Sequence, residues 1–273
     1  MAWGVMLRVK AAAIGLALLL DLGGEAVAGP FEDSVAAYQR EDYASALRLV
    51  GPLAEQGNAS AQALLGLMHA LGQGVKQDYG AALAWYRKSA DQGLASAQCD
   101  LGSMYDQGLG VKQDYAAALV WYRKAADQGY SGAERSLALM YANGRGVPKD
   151  LRAAAIWFSK AAEHGNAAAQ FALARMYESG EGVPQDSTAA MRLYRDSAER
   201  GDPDAQYKLG SIYAAGKGLP RDDVTAYMWF SLAASAGITD ALEAGERVGR
   251  RMTPSQLLEA HKLVREWEPK RNY

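Results

Sequence analysis

A site that performs covalent or acid–base chemistry needs a nucleophile, a base or a set of metal ligands within reach of one another. In this 273-residue sequence the only thiol is Cys99, whose neighbours Gln98 and Asp100 do nothing to lower its pKa. A thiol without a nearby cation or base stays protonated and unreactive. The three histidines, His69, His164 and His261, are widely separated, and His69 takes the place that Tyr105, Tyr141, Tyr177 and Tyr213 fill at later 36-residue steps. It reads as a packing residue. One cysteine can build neither an internal disulfide framework nor a cysteine-rich zinc site. The expectation is no catalytic residue, no metal and no cofactor.

Two arrays imitate a site. Asp42, Asp78, Asp114, Asp150, Asp186 and Asp222 recur every 36 residues, and Gly-x-Gly loops begin at Gly72, Gly108, Gly144, Gly180 and Gly216 on the same spacing. Because the aspartates share one place in the repeat, each reads as the N-cap of a helix. The loops lack both the strand that precedes a dinucleotide-binding turn and the Lys-Ser/Thr of a phosphate loop. A glycine at that point ends a helix by entering the left-handed conformation.

Those residues are positioned by a repeat. Gly57, Gly93, Gly129, Gly165, Gly201 and Gly237 keep the 36-residue period, as do the aromatic pairs Trp85-Tyr86, Trp121-Tyr122, Trp157-Phe158 and Trp229-Phe230. A fixed period of this length signals stacked copies of one supersecondary unit. In the first copy Ala61, Leu64, Leu65 and Met68 fall at helical spacing, and a second helix is predicted from about Tyr79 to Gln92. Alanines such as Ala82 and Ala90, two turns apart, let neighbouring helices approach closely. This explains 53 alanines and 29 glycines against 4 isoleucines and 13 valines, a composition that already disfavours strands. The predicted fold is all-α, an α-solenoid of stacked antiparallel helix pairs.

A formal charge of −2 without single-sign runs lacks the basic footprint of a nucleic-acid binder. Residues 1–28 read as a cleavable export signal: Arg8 and Lys10 precede the ten-residue apolar run Ala11 to Leu20, and Ala26-Val27-Ala28 supplies the small-x-small cleavage pattern. The expectation is an exported, periplasmic or secreted protein whose mature chain does not insert into a membrane.

The run Ala97-Gln98-x-x-Leu101-Gly102-x-Met104-Tyr105-x-x-Gly108-x-Gly110-Val111, continued by Asp114, Ala118, Trp121-Tyr122, Ala125-Ala126 and Gly129, resembles the Sel-one-like repeat (SLR). That family is a relative of the tetratricopeptide repeat. The predicted organisation is a signal at 1–28, an N-terminal capping helix pair at 29–56, five repeats (57–92, 93–128, 129–164, 165–200 and 201–237) and capping helices at 238–273. In the last of these, the helix begun at Thr253-Pro254-Ser255-Gln256 carries Leu257, Leu258, Leu263, Val264 and Trp267, and Glu259, Lys262, Arg265 and Glu268 are expected to give the end of the solenoid a polar outer face.

The resemblance implies a protein-interaction scaffold whose first helices line a concave recognition face. Matching Leu65-Gly66 to the tetratricopeptide Leu-Gly places Ser60, Ala63, Leu67, Ala70 and Leu71 on that face in the first repeat. In later repeats the same offsets select Asp106, Arg135, Leu139, Phe171, Arg175, Glu178 and Tyr207 as the partner-binding set. Arginines beside aromatics suit a protein or peptide partner with an acidic element. The chain is thus read as a non-enzymatic scaffold of the bacterial envelope. Two alternatives stand beside this: a cell-wall or β-lactam hydrolase like cysteine-rich SLR proteins, disfavoured by the single cysteine, and a structural spacer without a ligand.

Overall fold

The computed structural model describes residues 29–216 and 218–270, so the expected export signal lies outside the described residues. Among the described residues every regular element is an α-helix, and none is long and apolar enough to cross a membrane. The chain divides after Lys149 into two compact units. The first contains α1 (Pro30–Gln39), α2 (Tyr43–Glu55), α3 (Ala59–Leu71), α4 (Tyr79–Asp91), α5 (Ala95–Gln107), α6 (Tyr115–Ala126) and α7 (Ser131–Asn143). The second contains α8 (Leu151–Glu163), α9 (Ala167–Ser179), α10 (Ser187–Glu199), α11 (Pro203–Ala215), α12 (Asp223–Ser235), α13 (Thr239–Gly249) and α14 (Pro254–Glu266). Within each unit consecutive helices up to α13 pack on one another, which is the α-solenoid that the repeat requires.

The periodic residues do the capping their spacing predicts. The carboxylates of Asp78, Asp114, Asp150, Asp186 and Asp222 each accept the backbone N–H three residues into the following helix, at 3.0 Å in every case. Gly72, Gly108, Gly144, Gly180 and Gly216 end the first helices with φ between 65° and 77°, a region that β-carbons disfavour. Repeats are bolted together by buried glutamines: the side-chain amides of Gln62, Gln98, Gln170 and Gln206 donate to the carbonyls of Ala54, Ala90, Ala162 and Ala198 of the preceding helix.

The aromatic stripe is core. Tyr86, Tyr122, Phe158, Tyr194 and Phe230 are all buried, and a methyl group added to Gly102 or Gly210 would stand 2.8 or 2.7 Å from the ring of Tyr122 or Phe230. Two expectations are corrected. Ala63, Leu67 and Ala70, assigned to the recognition face, are buried in the core of the first unit, because small and aliphatic side chains there serve helix packing better than solvent. At the other end, Leu258 and Leu263 are exposed. Helix α14 packs on α12, and the chain beyond it returns to α10, where the Lys270 amide donates to the Glu199 carbonyl at 2.8 Å. That departure from the stacking register turns Leu258 and Leu263 to solvent.

Candidate interaction site

The seven expected partner-binding residues fall in both units. In the first unit the Arg145 guanidinium donates to the Asp106 carboxylate at 3.2 Å, so that acid is already paired. Burial pushes the Asp106 carboxyl up and Arg145 pulls it back only in part. Arg135 and Leu139 on α7 are half-buried, and Arg135 makes no hydrogen bond or ion pair among the described residues. Burial drives the Cys99 thiol far above its usual range, reinforced by the Asp100 carboxyl beside it. Such a thiol is not a nucleophile at neutral pH. Among the described residues Asp100 is itself buried without a charge partner, its carboxyl pushed well up by desolvation, and the nearby Tyr86 hydroxyl is sealed in without a hydrogen bond.

The corresponding cluster of the second unit is closed. The Tyr194 hydroxyl donates to Glu178 at 2.7 Å, and the Lys208 ammonium donates to both oxygens of the same carboxylate at 2.8 and 2.9 Å while lying 5.3 Å from the Tyr194 ring centroid. Desolvation raises the Glu178 carboxyl, but the bonds from Lys208 and Tyr194 and the charges of Lys208 and Arg175 outweigh it and hold the group below the usual glutamate range. Phe171 and Tyr207 are half-buried and pack tilted on Tyr194 and Phe230, with ring centroids 5.6 Å apart in each pair. They are partly core and offer a partner only part of each ring. Arg175 is exposed and makes no hydrogen bond or ion pair among the described residues.

The sequence reading passed over the joints between a second helix and the first helix of the next repeat. In the second unit two of these joints are open grooves. In one, of about 650 Å³ between α8 and α9, Arg152, Ala155, Ile156 and Ser159 face Leu173 and Tyr177, and Val183 and Pro184 of the glycine loop close it. Ile156 is 60% exposed. The other, of about 820 Å³ between α10 and α11, is basic. Its α10 wall carries Thr188, Met191, Arg192 and Arg195, one face at i, i+3, i+4 and i+7. The α11 wall answers with Lys208, Ser211, Ile212 and Ala215 at the same intervals. Ser211 and Ala215 stand at the offsets assigned to the recognition face, whereas Arg192, Arg195 and Lys208 do not. A comparison of repeats along the second helix gives the signal for one of them: Arg195 shares its place with Arg87, Arg123 and Ser159.

No three metal-binding side chains converge among the described residues. The comparisons with known proteins agree with this picture of a repeat scaffold. The model of the Sel1 repeat matches residues 59–94, 95–130, 131–166, 167–202 and 203–238. The crystal structure of a Sel1 repeat protein from Oxalobacter formigenes is 34% identical, covers 87% of this chain and 100% of its own, and superposes with a TM-score of 0.74. A Pseudomonas aeruginosa protein, 21% identical over 74% of this chain and 81% of its own, shares the fold at a TM-score of 0.53. No curated protein is significantly similar. With contiguous repeats over 180 residues and a relative alike along its whole length, the chain belongs to the Sel1 repeat family.

Proposed function

We propose that this protein is an interaction scaffold of the bacterial envelope, exported by residues 1–28, that holds a protein or peptide partner on its first-helix face and performs no chemistry itself. Sel1 repeat proteins commonly serve as protein-interaction scaffolds. The observation that carries the reading to this chain is the contrast between repeated and unrepeated positions. Caps, loop glycines, glutamine bolts and ring contacts recur, while the first-helix positions Asp106, Arg135, Leu139, Phe171, Arg175, Glu178 and Tyr207 differ from one repeat to the next. A non-periodic ligand needs a non-periodic surface on a periodic frame. Arg135 and Arg175 are planar forks without a hydrogen bond or ion pair of their own among the described residues, suited to carboxylates of a partner.

The test is affinity capture from the native envelope with the exported chain as bait, run beside the double variant Arg135→Ala/Arg175→Ala. The expected result is a reproducible partner whose recovery falls at least tenfold with the variant. Equal recovery by both baits, or no partner enriched by either, overturns the reading.

A further inference from the structure

The groove between α10 and α11 has three properties that the other joints do not combine. It is large, its volume of about 820 Å³ lying inside the range of about 300–1,000 Å³ taken by specific ligand clefts. Gly218 beside it stands clear: a methyl group there would meet nothing within 4 Å, whereas at Gly110, Gly146 and Gly182 it would strike the preceding repeat at 2.3, 2.6 and 2.4 Å. Its charge is unbalanced as well. Lys208 is neutralised by Glu178, the only acid in the lining, which leaves Arg192 and Arg195 on the α10 wall without a hydrogen bond or ion pair among the described residues.

Two antiparallel walls with residues at i, i+3, i+4 and i+7 form a trough along the helix axes, the shape into which a third helix lays its side-chain ridge. Met191, Ile212 and Ala215 supply apolar contact, and the arginine rim selects the charge of what lies there. We propose that this groove docks a short amphipathic helix of a partner protein whose apolar stripe is flanked by aspartates or glutamates. The acids pair with Arg192 and Arg195, and the apolar stripe covers Met191 and Ile212. This deepens the scaffold reading and rests on it, adding a helical, acid-flanked form of the partner and a groove that shares only Glu178 with the seven first-helix positions.

The experiment pans a random dodecapeptide phage library on the full chain, then measures binding of the enriched peptides, fluorescein-labelled, by fluorescence polarisation. The expected peptides carry acids on one flank of an apolar i, i+3/i+4 pattern and bind less tightly as salt rises. Arg192→Glu/Arg195→Glu, at two exposed positions, weakens binding at least tenfold, and Ala215→Trp, which fills the trough from its exposed wall, does the same. Arg87→Glu/Arg123→Glu in the first unit changes it less than twofold. Far-ultraviolet circular dichroism verifies that each variant is folded. No enrichment, neutral or basic peptides, or indifference to both groove variants overturns the proposal, as does a self-association that the groove variants abolish, which assigns the groove to a second copy. If partner capture is lost with Arg135→Ala/Arg175→Ala while peptides ignore Arg192 and Arg195, the groove proposal falls and the scaffold reading stands.

Discussion

The two units meet the same structural problem at the same place and solve it differently. Where α4 meets α5 and α6 meets α7, the arginine on the second helix reaches the tyrosine of the next first helix: Arg87 donates to the Tyr105 hydroxyl, and Arg123 to that of Tyr141 at 3.5 Å. In the second unit the equivalent pairs are Ser159 with Tyr177 and Arg195 with Tyr213. Ser159 turns to Glu163 on its own helix at 3.1 Å, and Arg195 makes no such bond. In the second unit the α8–α9 and α10–α11 joints both lack this latching bond and both open into grooves. At α8–α9 serine stands in place of the arginine, whereas at α10–α11 the arginine is kept and the bond is not made, so the seam is open with either residue.

The largest expected effect separates glycines that touch the preceding helix from Gly218, which stands clear of it. Gly110 and Gly182 hold positive φ while their α-carbons lie against backbone carbonyls of Tyr79 and Leu151, so an added methyl would meet oxygen at 2.3 and 2.4 Å. Gly218 shares the φ but not the neighbour. Gly182→Ala combines left-handed strain with a clash that no side-chain rotation relieves, and costs about 3 kcal/mol or more. Gly218→Ala bears the strain alone, about 1 kcal/mol. Urea unfolding of both variants measures the difference, and equal losses would mean that the loop at Gly218 is packed like the rest.

A smaller effect, opposite in sign between the units, is expected from deleting one oxygen. Tyr194→Phe removes a hydroxyl that donates to Glu178 and loses about 1 kcal/mol. Tyr86→Phe removes a hydroxyl buried without a partner next to the unpaired Asp100 carboxyl, and gains up to about 1 kcal/mol by ending an uncompensated desolvation. Thermal unfolding of the pair at one pH checks the signs. A loss from Tyr86→Phe would show that the hydroxyl has a partner in solution.

The frame was legible in the sequence because it is periodic: Asp78 and its equivalents, the loop glycines and Tyr86 to Phe230 recur for one physical reason each, and that reason holds in every copy. What repetition does not encode was read less well. Ala63, Leu67 and Ala70 stand at recognition offsets, yet a surface offset carried from a related repeat does not decide burial, and the first unit packs over them. The path of α14 onto α12 depends on contacts made once, including Tyr227 against His261 at 5.4 Å, and no copy elsewhere in the chain announces it. Among the candidate residues, Glu178 and Asp106 were legible as charged positions, but their partners Lys208 and Arg145 lie 30 and 39 residues away and are set by helix stacking. The grooves leave little trace in the first helices: Ser159, which departs from Arg87, Arg123 and Arg195, lies on a second helix, and at Arg195 the sequence does not change at all.

The smallest effect tests the latch itself. Ser159→Arg restores at the α8–α9 joint the residue found at 87 and 123, opposite Tyr177 as Arg87 is opposite Tyr105. An exposed arginine–tyrosine bond contributes only about 0.5 kcal/mol, because both groups exchange it for water in the unfolded chain. Single substitutions cannot isolate so small a term from changes in helix propensity, but a double-mutant cycle of Ser159→Arg with Tyr177→Phe cancels them. The expected coupling is about 0.5 kcal/mol, matching an Arg123→Ala/Tyr141→Phe cycle in the first unit. Coupling in the Arg123 cycle and none in the Ser159→Arg cycle would mean that the backbone of the second unit holds the joint too wide for the side chain to span. The difference between the units would then reside in helix placement, and the grooves would be features of the frame.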